Sequence, residues 1–193
     1  VLDVACGTGV VARNLVPRVG GTGWVIGLDI NPAMLEVACR QFSDNCEEIE
    51  WREGRAEDLP FSAGEFDLVT CQQGLQFFAD RPAAAREMHR VLRRGGRAVL
   101  ALWRSLDEHP LYAQVFGAIA AVTRVPLETI GSPFGYGDAE ELRDLLRNAG
   151  FQRVNVETVE HGVRFDDPGH FMERSIVGAS AVMTVATSSR TSA

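Results

Sequence analysis

The chain opens on an apolar run broken by one acid. Val1-Leu2-Asp3-Val4-Ala5 reads as a buried parallel strand, and Cys6-Gly7-Thr8-Gly9 as a tight turn feeding a helix that starts near Val10. Pro17 and the Gly20-Gly21-Thr22-Gly23 turn close that helix, and a second apolar strand runs from Trp24 to Asp29. Asn31 then predicts an N-cap with Pro32 at the first helical position, followed by an apolar face of Met34, Leu35, Ala38 and Phe42. Ile49 and Trp51 alternate with acids over 48–53, which predicts a short strand near a sheet edge. Glycine and proline mark 54–61 as a loop, and 66–71 is a fourth strand. Pro82 opens a helix with Ala84, Ala85, Met88, Val91 and Leu92 at helical spacing, stopped by Gly95-Gly96. The fifth strand, 97–103, is almost continuously apolar, as a strand covered on both faces is.

Later segments depart from strict alternation. Leu111, Val115, Phe116, Ile119 and Val122 predict a helix over 111–122, serving either as a substrate lid or as a core helix. Residues 131–137 read as a loop. Asp138 and Glu141 form a capping-box-like start for a helix buried through Leu142, Leu145, Leu146 and Ala149, and a sixth strand is expected over 151–159. Beyond Pro168 the pattern fades into small and hydroxyl residues, expected to be poorly ordered.

Strands alternating with helices predict an α/β fold with a doubly wound, mostly parallel sheet. One domain over 1–160 is expected, with 105–135 as a candidate lid insertion and 161–193 as an incomplete, partly disordered C-terminal segment. The chain starts without Met and already inside its first strand, so truncation at both ends is expected. The net charge of −7 argues against a surface wrapping a phosphate backbone. The one basic cluster, Arg86, Arg90, Arg93, Arg94 and Arg97, reads as a solvated helix face and turn. Apolar runs are too short to span a bilayer. Cys6, Cys39, Cys46 and Cys71 form no C-x-x-C pair, which fits a reducing cytoplasm. No cluster has metal-ligand spacing, and no metal is expected.

In an open α/β sheet, ligands bind beyond the carboxyl ends of the strands, where strand order reverses. That rule selects five tips: Cys6 to Gly9, Asp29 and Ile30, Arg55 to Glu57, Cys71 to Gly74, and Trp103-Arg104. The glycine turn lets a ligand approach the backbone, Ala12 stands where a third glycine is usual, and Asp29, twenty positions after Gly9, can accept both hydroxyls of a ribose. Two cofactor classes compete. A dinucleotide would place its pyrophosphate at the helix N-terminus. S-adenosylmethionine shares the diol but carries an amino-acid tail, and Asp3 lies close enough to the turn either to face its ammonium or to bond the loop amides.

Taken in order and spacing, Val1 to Gly9, Gly27 to Leu35, Arg55 to Phe61, Phe66 to Val69 and Val91 to Arg97 resemble the class I S-adenosylmethionine-dependent methyltransferases. The branch is the one similar to the ubiquinone and menaquinone biosynthesis methyltransferases. The resemblance covers roughly 1–160 and implies a Rossmann-like methyltransferase fold. It implies that Asp3, Cys6, Gly7, Thr8 and Gly9 hold the methionine part and Asp29 the ribose, with Ile30 and Met34 beside the adenine. Ala56 and Glu57 would border the adenine, and Gln72 would face the methyl donor. Gln73, Trp103, Tyr112 and Phe116 are the candidate acceptor residues. Two positions depart from the family: Arg55, where an acid often meets the adenine amino group, and Ala5, where glycine is frequent. The family's N-terminal helices and antiparallel seventh strand are not recognisable here.

The implied function is in-line methyl transfer from S-adenosylmethionine to a small-molecule acceptor, with neither nucleic acid nor a membrane span involved. The oligomeric state and the catalytic residues stay open: His109, His161 and His170 qualify as a base only by residue type, and His89 reads as structural. Two alternatives remain, an NAD(P)-dependent oxidoreductase using the same turn and acid, and a non-catalytic cofactor-binding module.

Overall fold

The computed structural model describes residues 1–41 and 49–160, together with 162, 164, 166, 167 and 169. Phe42, Cys46, His161 and His170 lie outside the described residues, as does Glu48 at the expected start of the third strand. The chain divides into two units: Val1–Leu102 with Glu140–Val154, and Trp103–Ala139 with the residues from Asn155 onward.

The first unit is a five-stranded sheet. Its strands are β1 (Leu2–Val4), β2 (Val25–Asp29), β3 (Ile49–Glu53), β4 (Phe66–Gln72) and β5 (Leu92–Ala101), in the order β3-β2-β1-β4-β5, every pair parallel. β1 is central, with Asp3 level with Gly27 on one side and Thr70 on the other. Every residue of β1 and β2 is buried, which is why both read as unbroken apolar runs. The connecting helices are α1 (Val10–Leu15), α2 (Pro32–Arg40) and α3 (Arg81–Val91). Chain direction across the sheet reverses between β1 and β4, so right-handed crossovers place α1 and α2 on one face and α3 on the other. Ala12, Val25 and Ile49 pack together on the first face. Ala85 packs with Leu146 of α6 (Ala139–Asn148) and with Ala149, just past its end, on the second.

Local chemistry explains these boundaries. Asn31 caps α2 by accepting from the Ala33 N–H at 3.0 Å, ahead of Pro32. Asp80 caps α3 in the same way, accepting from the Ala83 N–H at 2.8 Å. The cap of α1 is remote. Gly9, in the N-cap position, has no side chain, and Asp3 instead accepts the Ala12 N–H at 3.1 Å from beneath the turn. Its other oxygen takes the Thr70 hydroxyl at 2.7 Å, so one carboxylate, 1% exposed, ties β1 to α1 and β4.

Several sequence expectations are corrected. β5 spans Leu92–Ala101 rather than 97–103, and it is not covered on both faces: its burial alternates and Val99 is 56% exposed. It forms an edge of the described sheet, where a period of two is the natural pattern. The expected sixth strand over 151–159 has no ladder partner among the described residues, because Phe151 and Val154 engage by side chain with the α6 cluster instead. Met34 does not belong to a buried helix face; it is 42% exposed, and Ala38 is the residue α2 buries. Arg90 is not a solvated cation. It donates to the Phe61 and Leu59 carbonyls at 2.8 and 3.0 Å and pairs with Glu87, which accepts the Leu59 N–H, so the pair fastens the 54–61 loop.

The second unit is built around α4 (Pro110–Thr123) and α5 (Leu127–Ile130). Val115, Phe116, Ile130 and Phe134 form its core, with Leu106, Tyr112 and Ile119 packed against it. Val122, expected on the apolar face, is exposed.

Three predictions concern β1 and the turn that follows it. Burial pushes the Asp3 carboxyl up to about 6, only partly countered by its bonds from Thr70 and Ala12, and the charge of Asp29 adds to the rise. The folded state therefore holds this proton more tightly than the unfolded chain, and stability falls as pH rises from about 4 through 6. Asparagine can still accept from Ala12 and can donate to Thr70. Asp3→Asn is expected to be more stable than the parent at pH 7 by about 2 to 3 kcal/mol, with the gap closing near pH 4. Urea unfolding at the two pH values checks this, and an equal gap at both contradicts it. Ala5 holds φ +55° where a side chain costs about 1–2 kcal/mol, so Ala5→Gly is expected to gain up to about 1 kcal/mol after the added freedom of the unfolded chain is subtracted. Gly9→Ala moves the other way. With φ +78° and a Cβ aimed into the Trp51 ring, it is expected to lose about 2 kcal/mol or more by the same assay.

Candidate functional site

Four of the five selected tips converge in the first unit. Asp29, at the end of β2, is the joint between them. Its Oδ2 accepts the Gly7 N–H at 2.8 Å and its Oδ1 accepts the Asn31 N–H at 2.9 Å, while its carbonyl takes the Gly54 N–H at 3.0 Å. The turn after β1, the cap of α2 and the loop after β3 are thereby tied to one residue. Each carboxylate oxygen has a second lone pair, so the two backbone donors orient the group without exhausting it. A vicinal diol fits what remains, one hydroxyl to each oxygen.

The turn itself is made by left-handed backbone at Ala5, Gly7 and Gly9. A Cβ built on Gly7 meets nothing within 4 Å, so the space over the turn is open. Gly9 and Gly27 are held against the indole of Trp51, where a Cβ on either would collide with the ring. Cys6 is buried, and burial pushes its thiol well up, with Asp3 and Asp29 adding, which disfavours the thiolate. Cys71 behaves alike, its thiol pushed up to about 12 by burial. Thr8 accepts from Arg13 through its carbonyl at 2.7 Å. Ile30 and Met34, 56% and 42% exposed, present apolar side chains just beyond Asp29. An apolar pair beside an acid with lone pairs to spare suits a flat heterocycle attached to a sugar.

Asp3 takes the second of its two expected positions, bonded to the backbone under the turn. In the 54–61 loop Ala56 is buried, and Glu57 is committed within the fold: Oε1 accepts the Ala79 N–H at 3.1 Å and Oε2 lies 3.6 Å from Arg55. The turn after β4 meets the turn after β1 closely, because Gly74 lies against Ala5, where a Cβ would come within 2.6 Å of the alanine methyl. Gln72 is exposed at this tip. Gln73 follows it with φ +55°, its N–H bonded to the Ala101 carbonyl at 2.8 Å.

Trp103, Tyr112 and Phe116 fall in the second unit with Arg104. There Trp103 stacks on Phe134 with ring centroids 6.0 Å apart, and Tyr112 contacts Phe116 and Phe134. Phe116 is taken up in that unit's core. His109 sits edge-on to Trp103, and His89 contacts Phe151 in the first unit. A cleft of about 510 Å3 lined by Val1, Trp24 and Phe66 opens at the opposite, amino ends of the strands and has no part in this site. Among the described residues no group of three or more His, Cys, Asp or Glu converges, and no helix is long and apolar enough to cross a membrane. Sequence reasoning missed Thr70, the hydroxyl partner of Asp3. It could have been found as the polar residue inside an apolar strand.

Residues 1–96 match the family described as a methyltransferase domain. Demethylmenaquinone methyltransferase of Staphylococcus carnosus is 37% identical over 174 residues, spanning 84% of this chain and 71% of that protein. The protein of the same name from Lactococcus lactis is 36% identical over 175 residues, spanning 84% and 68%. Among solved structures, the YcgJ protein of Bacillus subtilis superimposes with a TM-score of 0.67 at 24% identity, over 90% of this chain and 69% of that one, a likeness of fold. A methyltransferase-like protein of Bacillus halodurans gives 0.60 at 25% identity, over 78% and 61%. With the open glycine turn and the braced acid at its switch point, and relatives of this identity and coverage, the chain belongs to the class I S-adenosylmethionine-dependent methyltransferases, in their menaquinone branch.

Proposed function

We propose that this enzyme methylates a ring carbon of a demethylated naphthoquinone in its reduced, hydroquinone form, with the residues of the β1, β2 and β4 tips holding the methyl donor. The supporting relatives are named for demethylmenaquinone. The reduced form is specified because an electrophilic methyl group needs an electron-rich carbon, which a hydroquinone ring offers and a quinone ring does not. S-adenosylmethionine supplies an activated methyl on a sulfonium, and the positive charge is lost in transfer. One ring carbon–carbon bond forms as the sulfur–carbon bond breaks, and the ring then sheds the proton from that carbon to recover aromaticity.

The residues of this chain bind, align and shield. The single observation that supports the binding mode is that Gly7 and Asn31 each donate to one oxygen of Asp29 and leave it a lone pair; with these lone pairs Asp29 accepts the two ribose hydroxyls. Gly7 and Gly9 let the amino-acid tail lie against bare backbone. Cys6 and Thr8 contribute main chain to the same turn, and Asp3 holds that turn in place from below, its negative charge near the tail's ammonium. Ile30 and Met34 cover the adenine, whose edge meets the backbone of Ala56 and Glu57 because Arg55 offers no acceptor in its side chain. Gln72 lies beside the donor and Gln73 beside the acceptor. Alignment of donor and acceptor within a water-poor site is the main source of rate in such a displacement.

Asp29→Ala removes the diol's partner and frees the turn, and it is expected to weaken S-adenosylhomocysteine at least about thirtyfold by calorimetry. The parent enzyme is expected to transfer labelled methyl to a reduced, short-chain demethylnaphthoquinol and not to the oxidised quinone. Equal transfer to both, or affinity untouched by Asp29→Ala, contradicts the proposal.

A further inference from the structure

Trp51 leaves β3 and crosses the neighbouring strand. In the parallel pairing of β2 with β3, Gly27 stands level with Trp51. The benzo edge of the indole lies over that glycine: a Cβ built on Gly27 would come within 2.5 Å of Cζ3 and 2.6 Å of Cε3. The ring continues to the turn after β1, where a Cβ on Gly9 would collide with Cη2 and meet Cζ3 at 3.0 Å. One ring edge therefore fills the space between the middle of β2 and the N-cap of α1.

Gly27 has no left-handed backbone to explain it, and a glycine inside a strand weakens the strand. Its missing side chain is what lets the ring lie close. On the turn side Ala38 of α2 closes the remaining space, 3.3 Å from the same Cβ position on Gly9. Behind the ring, Trp51 packs on Ala12, Val25 and Ile49. No side chain stands between the indole and the backbone of either glycine, so the position of the ring is passed directly to the main chain. The turn is thus held at two points: its near edge by the bond from the Gly7 N–H to Asp29, and its far edge, where α1 begins, by the indole.

We infer that Trp51 is a positioning residue for the methyl donor, whose indole sets the height of the Gly9 end of the turn over β2 and thereby the span between the place of the amino-acid tail and the place of the ribose. This rests on the proposal that the β1 turn and Asp29 hold those two parts; Gly27 lies two residues before Asp29 on the same strand. A ligand tied at both ends pays for an error in span with strain or with one lost contact. A ligand tied at one end shifts to suit its single anchor and is indifferent to the span.

The test compares the parent with Trp51→Leu and Trp51→Phe by calorimetry against two ligands: S-adenosylhomocysteine, which reaches both places, and adenosine, which reaches only the ribose place. Trp51→Leu is expected to weaken S-adenosylhomocysteine about tenfold and adenosine no more than about twofold, with Trp51→Phe, which keeps part of the ring, between parent and Leu. Partial unfolding lowers both apparent affinities by the same factor, so it does not imitate a selective loss. Equal losses for the two ligands in a variant that urea unfolding shows to be folded, or no loss for either, overturns the inference and leaves Trp51 a plain core side chain. Gly27→Ala reaches the same span from the other side. It is expected to show the same selective loss, and adding Trp51→Leu is expected to restore part of it, because the new methyl then occupies space the indole has left. Losses that simply multiply in the double variant contradict the inference. A parent chain that binds S-adenosylhomocysteine no more tightly than adenosine has no anchor for the tail at the turn, and that result, read on the parent alone, refutes the donor site and the inference with it.

Discussion

One carboxylate holds three segments of this chain in register. Asp29 receives an N–H from the turn after β1, another from the start of α2, and through its carbonyl a third from the loop after β3. Each of these segments is separately weak: a glycine turn, a capped helix of nine residues and an irregular loop. Joined at a buried acid at the carboxyl end of the sheet, they form a surface whose geometry is set before any ligand arrives. A preorganised acceptor pair is worth more than a mobile one, because binding does not have to order it.

The same end of the sheet carries features that work against stability. Asp3 is a nearly inaccessible acid whose ionised form is disfavoured by burial. Ala5 and Gln73 occupy backbone conformations suited to glycine. All three lie at the carboxyl ends of β1 and β4, on either side of the switch point. Elsewhere in this unit the packing is conventional, with alanines beneath the helices and aliphatic side chains in the strands. Concentration of strain and buried charge in one small region is what a site built for a charged, polar ligand requires.

Much of this was legible in the sequence, for identifiable reasons. The parallel strands were visible because burial on both faces demands unbroken apolar runs, as in β1 and β2. The turn was visible because only glycine serves at Gly9, under the Trp51 ring. Asn31 announced α2 because a cap is a local interaction. What escaped was decided by partners distant in sequence. β5 reads as fully covered from its composition, yet its place at the edge of the described sheet leaves Val99 open. Met34 has helical spacing for a core residue, but the helix leaves it 42% exposed and buries Ala38 instead. Residues 151–159 alternate well enough for a strand, and side-chain packing on α6 takes the place of a ladder. Thr70 matters through what it touches, Asp3, and that contact is not encoded in local pattern.

The most direct test of the account compares S-adenosylhomocysteine with its 2′,3′-dideoxy counterpart by calorimetry on the unaltered chain. If Asp29 grips the diol, removing both hydroxyls strips two charge-assisted hydrogen bonds, and affinity is expected to fall by about thirtyfold or more. Equal affinity for the two compounds would mean that the braced carboxylate serves the fold alone, and the binding mode argued from it would be wrong.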